Sequence, residues 1–120
     1  MKLLKQLCTI HAPSGNEIAM TNFLLDYIKK NKSNWKTKPK VFHGKDFQDC
    51  IVLVFGKPTT AIFAHLDSIG FTVRYGKQLI KVGGPKTENK TKLVGEDSKG
   101  KILCQLKCSK RLPPHLHILK

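Results

Sequence analysis

The residue types best suited to chemistry lie in one short stretch, residues 61–73, AIFAHLDSIGFTV. An apolar run ends at His65 and Asp67, and Gly70 interrupts the pattern before a second apolar run begins. An imidazole and a carboxylate two positions apart, at the end of a strand, form one corner of many metal sites. The imidazole binds the ion through one ring nitrogen, and the carboxylate takes the proton on the other and so fixes the tautomer. His65 is therefore a candidate metal ligand and Asp67 a candidate catalytic residue that orients it, although a purely structural His-x-Asp pair has the same spacing.

Two helices are predicted before this pair. Residues 2–8 have leucines at helical spacing, and Pro13 lies beyond the end of that segment. Ser14 and Glu17 have the S-x-x-E spacing of a capping box, in which both side chains satisfy free backbone amides at a helix start. The helix that follows, to about Lys30, has an apolar stripe made of Ile18, Ala19, Phe23, Leu24, Tyr27 and Ile28.

Three strands are predicted between that helix and the His-x-Asp pair. They comprise residues 40–42, residues 50–55 and residues 60–64, of which the second is apolar throughout and typical of a strand covered on both faces. The short turn at residues 56–58 favours antiparallel pairing of the last two strands. Helices and covered strands together predict an α/β domain built on a mixed sheet.

The pattern changes after Gly70 to short strands joined by tight turns. Residues 71–75 and 78–82 flank a hairpin turn, and Leu93-Val94 and residues 101–108 flank a polar turn, GEDSKG. The last strand alternates, with one set of side chains predicted to face inward: Ile102, Cys104, Leu106 and Cys108. These features predict a small antiparallel β domain. The predicted division is residues 1–69 for the α/β part and 70–120 for the β-rich part.

Four segments resemble, in the same order, parts of peptidase family M42, the dinuclear metallo-aminopeptidases that include glutamyl aminopeptidases and endoglucanase M-like proteins; the first three resemble the opening of the family and the fourth resembles the SKxPPHL stretch of its inserted domain. They are LLKQLCTIHAPSGNE at 3–17, AIFAHLDSIGFTV at 61–73, VGGP at 82–85 and SKRLPPHLHIL at 109–119. The family motif often continues as H-x-D-E, whereas Ser68 follows Asp67 in this chain.

The resemblance implies a hydrolase that removes N-terminal residues from peptides. Such enzymes use two divalent ions, zinc or cobalt, in an α/β catalytic domain that carries an inserted β-rich domain, and they assemble as homo-oligomers. By the matching motif, His65 would bind one ion and Asp67 would orient it. The family's remaining ligands come after the inserted domain, so the resemblance implies a fragment that supplies at most one ligand and does not catalyse alone.

The charge balance suggests an alternative class of function. The chain has 120 residues, the size of one ordinary domain, and 22 Lys+Arg against 8 Asp+Glu give a net charge of +14. Such an excess is typical of proteins with a polyanionic partner, such as nucleic acid. Residues 29–40 carry six lysines around Trp35, which could stack a base. Because the chain has no RNP, KH or zinc-finger pattern, a solvated loop anchored by Trp35 is favoured instead.

Two other interpretations stay open. A degenerate, non-catalytic relative retained for self-association would share the same motifs. A structural zinc site could use Cys104, Cys108, His115 and His117, but its histidines are one residue apart, whereas three to five is usual. Packing of the cysteines in the core is favoured. The sequence contains no secretory or membrane-spanning apolar run, which favours reduced cysteines and the cytoplasm.

Overall fold

Helices and antiparallel β-sheets both occur in this chain, and they are distributed over two compact units. The computed structural model describes residues 2–108 and 116–119. One unit is Met1–Ser68, with two α-helices and a two-stranded sheet, and the other is Ile69–Lys120, with a five-stranded sheet. The presence of both α and β structure confirms the coarse fold class predicted from the sequence.

The two predicted helices are present as α1, Lys2–Thr9, and α2, Ile18–Asn31. The first turn of the predicted apolar stripe of α2 is wrong, because Ile18 and Ala19 are exposed and the buried face begins at Met20 and Thr21. The Thr21 hydroxyl donates a hydrogen bond of 2.7 Å to the Asp49 carbonyl, so a polar residue is buried here with its partner. No helix within residues 2–108 and 116–119 is long and apolar enough to cross a membrane.

The predicted capping box is also wrong, because the helix begins after both of its residues. Glu17 has a helical backbone at the N-cap position and its side chain caps no helical amide. Its carboxylate instead accepts a hydrogen bond of 2.6 Å from the Gly15 amide, within the preceding turn. The Asn16 amide bonds to the Pro13 carbonyl at 2.9 Å and completes that turn. The Ser14 hydroxyl is thus free to bond elsewhere.

The first sheet consists of β1, Lys40–Phe42, and β2, Val52–Val54, paired antiparallel with Val41 opposite Leu53. The first of these strands is the predicted one. The second is shorter than predicted and is only partly covered, since Val52 and Phe55 stay exposed. The Phe55 ring packs against Trp35, with the ring centroids 6.1 Å apart.

The predicted strand at residues 60–64 is not formed. Ile62 and Phe63 are 94% and 91% exposed, and β2 pairs with β1 and not with this segment. A strand requires a neighbour to satisfy its backbone amides and carbonyls, and the described residues supply none here. The apolar, β-branched composition was therefore not sufficient to define a strand.

The second sheet is antiparallel throughout, in the order β3-β4-β7-β6-β5. The predicted hairpin is present as β3, Gly70–Arg74, and β4, Gln78–Val82. The strands β5, Lys92–Asp97, and β6, Gly100–Cys108, are longer than predicted, because they continue into the polar turn and leave only two residues outside the pairing. The strand β7, Leu116–Leu119, pairs with β4 and β6 and was not predicted.

The two faces of this second sheet differ in burial. Leu79 and Leu106 are buried on one face, with Cys104 half-buried beside them, which confirms the inward direction predicted for Cys104 and Leu106 of β6. The prediction for Cys108 falls on a side chain outside the described part of the chain. Ile102, near the start of that strand, is exposed, so the prediction is wrong there. Leu103, on the opposite face, is 80% exposed. An antiparallel sheet with one buried and one solvated face commonly has this pattern.

Gly83 follows β4 in a left-handed conformation that favours glycine. Its φ is +73°, and a Cβ at this position would lie 2.8 Å from Cγ2 of Ile69. A side chain would therefore meet both backbone strain and a steric clash. Part of the VGGP motif thus has a structural explanation that does not depend on catalysis.

Candidate metal site

His65 and Asp67 are in contact in the unit Met1–Ser68. The Nδ1 atom of His65 lies 3.2 Å from Oδ1 of Asp67. The imidazole side chain is 85% exposed, whereas the carboxylate side chain is 36% exposed. The predicted contact is therefore present, with the ring directed into solvent.

The hydrogen bonds of His65 determine which ring nitrogen is available. Nδ1 also lies 2.9 Å from the backbone carbonyl oxygen of Asp67. A carbonyl oxygen only accepts, so this network assigns the proton to Nδ1. In the neutral ring, Nε2 then carries the free lone pair. This is the arrangement in which a second group orients the imidazole of a metal-binding histidine.

Asp67 is held on its other side by Ser14, whose hydroxyl donates a hydrogen bond to Oδ2. The backbone brings these two residues together. The Ser68 amide bonds to the carbonyl of the fully buried Ala12 at 2.7 Å, and Pro13 and Ser68 form an isolated parallel bridge. Two irregular segments therefore build the site, and no strand positions His65.

The pKa of Asp67 is lowered from its ordinary value of 3.8. The hydrogen bond from Ser14 is the largest cause. Partial desolvation acts in the opposite direction, and the charge and hydrogen bond of His65 lower the pKa further. Each favourable contact stabilises the ionised carboxylate, so Asp67 is an anion at neutral pH and accepts from both neighbours.

The donor atoms present fit one corner of a metal centre but do not make a complete metal centre. Nε2 of His65 is exposed and unprotonated in the neutral ring, which suits it to bind zinc or cobalt. The carboxylate of Asp67 is already engaged by Ser14 and His65, and so serves to orient the ring. Among residues 2–108 and 116–119, no group of three or more His, Cys, Asp or Glu could hold an ion.

The S-x-x-E spacing predicted a helix cap at Ser14 and gave no indication of its contact with Asp67. That spacing is a local signal that helix formation explains fully. The contact with Asp67 joins residues 53 positions apart, and no local pattern reports it.

The alternative zinc set and one family-like segment lie partly outside the described residues. Residues 109–115 lie outside the described residues, and they include His115 and most of the SKRLPPHLHIL segment. Cys104 is a free cysteine, half-buried on the inner face of β6. The zinc interpretation thus stays an unverified alternative.

Comparison with known proteins adds no constraint on this site. Neither the scan against protein-family models nor the search of curated proteins finds a match for this chain.

Proposed function

We propose that this chain is part of a metal-dependent aminopeptidase of the M42 kind and supplies the first corner of its dinuclear centre. The observation that carries the proposal is the imidazole of His65, which is exposed and has Nδ1 held by Asp67. The order of the four family-like segments supports it. The proposed fold is the start of an α/β aminopeptidase domain followed by part of an inserted β-rich domain.

The proposed roles follow from these contacts. When bound, a pair of zinc or cobalt ions supplies an activated water and polarises the scissile carbonyl of a peptide substrate. His65 would bind one ion through Nε2. Asp67 would keep the proton on Nδ1 and orient the ring, as is usual for a carboxylate beside a metal-binding histidine. The other ligands would come from outside the described residues.

Metal binding by His65 is tested by NMR on the chain labelled with ¹⁵N at histidine. Addition of Zn²⁺ should shift Nε2 of His65 more than the nitrogens of His43, an exposed histidine with no carboxylate partner among the described contacts. His65→Ala should remove the shifted signal and leave the His43 signals unchanged. Equal response of the two histidines would contradict a prepared site at His65.

Catalysis is tested separately with an aminoacyl anilide substrate. We expect no hydrolysis by the isolated chain in the presence of Zn²⁺ or Co²⁺, because one imidazole cannot hold two ions. Robust hydrolysis that is lost in His65→Ala would overturn the proposal that the ligand set is incomplete while supporting the site itself.

The proposal includes a cytoplasmic location and self-association. Enzymes of the family that the chain resembles assemble as homo-oligomers, and a non-catalytic member retained for assembly would also do so. Size-exclusion chromatography with light scattering should show an oligomer at high protein concentration. A monomer throughout the concentration range would count against self-association in either form.

A basic nucleic-acid-binding module is the competing function. The net charge of +14 favours it. Trp35 does not, since its ring is half-buried and packs against Phe55, as an anchoring residue would. Nucleic acid is therefore the less favoured partner.

A further inference from the structure

We propose that Ser14 is a positioning residue that holds the carboxylate of Asp67 in the orientation required to fix the imidazole of His65. This inference rests on the proposed function, in which His65 is the ligand. It assigns a role in the site to a residue that lies in a different segment of the chain.

The geometry of Asp67 carries the argument. One carboxylate oxygen faces Nδ1 of His65 at 3.2 Å, and the other accepts the hydroxyl of Ser14. A carboxylate held through one oxygen rotates about its terminal torsion, which has broad preferences. Contacts through both oxygens define the plane of the group. Ser14 therefore restricts the carboxylate to the rotation in which it accepts from Nδ1–H.

The backbone holds Ser14 in place for this purpose. The bond from the Ser68 amide to the Ala12 carbonyl and the bridge between Pro13 and Ser68 keep the two segments side by side. The turn at Gly15, where φ is +85°, directs the chain away toward α2 after Ser14. The hydroxyl therefore lies on a segment whose backbone is held by hydrogen bonds, although Ser14 itself is exposed.

A nucleophilic role for Ser14 does not agree with these contacts. In a Ser-His-Asp triad the imidazole accepts the serine proton and the carboxylate holds the opposite ring nitrogen. Here the serine proton is donated to Asp67, and the ring faces the same carboxylate through Nδ1. The order of the three groups is therefore suited to orienting the imidazole and not to activating the hydroxyl.

The test measures the tautomer of His65 in the full chain, from its ¹⁵N chemical shifts at a pH where the ring is neutral. In the unmodified protein Nδ1–H should be the major form. Ser14→Ala should shift the majority to Nε2–H, and Ser14→Thr, which keeps the hydroxyl, should restore Nδ1–H. Ser33→Ala, an exposed serine of the same unit with no described side-chain contact, is the matched control and should change nothing.

A second variant, Ser14→Cys, controls for the effect of misfolding. Its side chain is close to serine in volume, but its thiol is a weak hydrogen-bond donor, so it should lose Nδ1–H as Ser14→Ala does. The fluorescence of Trp35 reports whether the unit stays folded. If Ser14→Ala and Ser14→Cys fold and leave the tautomer unchanged, the inference is overturned, and the backbone carbonyl of Asp67 alone fixes the ring.

The titration with Zn²⁺ separates this inference from the proposed function. A tautomer that depends on Ser14, together with an Nε2 that does not respond to Zn²⁺, would retain the positioning role and refute the metal site. An Nε2 that responds equally in Ser14→Ala and the unmodified protein would retain the metal site and refute the positioning role.

Discussion

The candidate site depends on a few polar contacts made at the surface of the molecule. Ser14, His65 and Asp67 form a connected set in which the carboxylate accepts from both partners. Because the imidazole is so exposed, the contact between His65 and Asp67 contributes little to the stability of the fold, as is usual for surface pairs. Its value lies in the orientation of the ring.

The ionisation of Asp67 gives a prediction at this scale. The pKa of its carboxyl, followed by NMR, should be below 3.8, since the hydrogen bond from Ser14 favours the anion. A group whose pKa is lower in the folded state than in the unfolded chain stabilises the fold above the unfolded pKa. That contribution is lost as the pH falls through the folded pKa.

The corresponding stability measurement is urea unfolding of the unmodified protein and of Asp67→Asn from pH 7 downward. The difference between their free energies of unfolding should decrease as the pH falls from about 5 through the ordinary carboxyl pKa of 3.8. A difference that grows as the pH falls below about 5 would contradict the lowered pKa.

At the scale of the elements, the pairing of strands determined which apolar segments joined a sheet, and the local sequence pattern did not. The alternation in β6 correctly indicated an inner face, because strand geometry alternates side chains whatever the neighbours are. The segment at residues 60–64 has a comparable apolar composition but forms no strand. The local sequence indicates whether a segment is suited to a β-sheet. Whether a neighbouring strand is available to pair with it depends on the whole fold.

The buried and exposed faces of β6 give a matched pair of variants. Leu106→Ala should lower the free energy of unfolding of its unit by about 2–5 kcal/mol, because this leucine is fully buried and its truncation leaves a cavity. Leu103→Ala, three residues earlier on the exposed face, should change it by less than about 0.5 kcal/mol. Amide hydrogen exchange in β5 and β6 measures both effects. Equal losses for the two variants would show that the assigned faces are incorrect.

At the scale of the whole molecule, the dominant property is the net charge of +14. Such a charge attracts polyanions without requiring a specific site, and the attraction is screened by salt. Binding of an oligonucleotide would thus not by itself establish a nucleic-acid function. The fluorescence of Trp35 distinguishes specific binding of nucleic acid from attraction by net charge alone.

Trp35 should keep its fluorescence when a single-stranded oligonucleotide is added at physiological salt, because its ring already packs against Phe55. Binding at low salt, measured by anisotropy of a labelled oligonucleotide, should weaken steeply as salt is added. Saturable quenching of Trp35 that persists at physiological salt would favour the nucleic-acid module over the aminopeptidase.

The sequence by itself determined the helix α2, the two hairpins of the second sheet and the inner face of β6. These follow from short-range periodicity and from turn residues, which act within a few positions of the chain. The His-x-Asp pair was also visible, because its two residues lie only two positions apart in the sequence. The bond from Ser14 to Asp67, the insertion of β7 between β4 and β6, and the failure of residues 60–64 to form a strand were decided only by the tertiary structure. Each depends on contacts between segments far apart in the chain, and a local sequence pattern does not indicate such contacts.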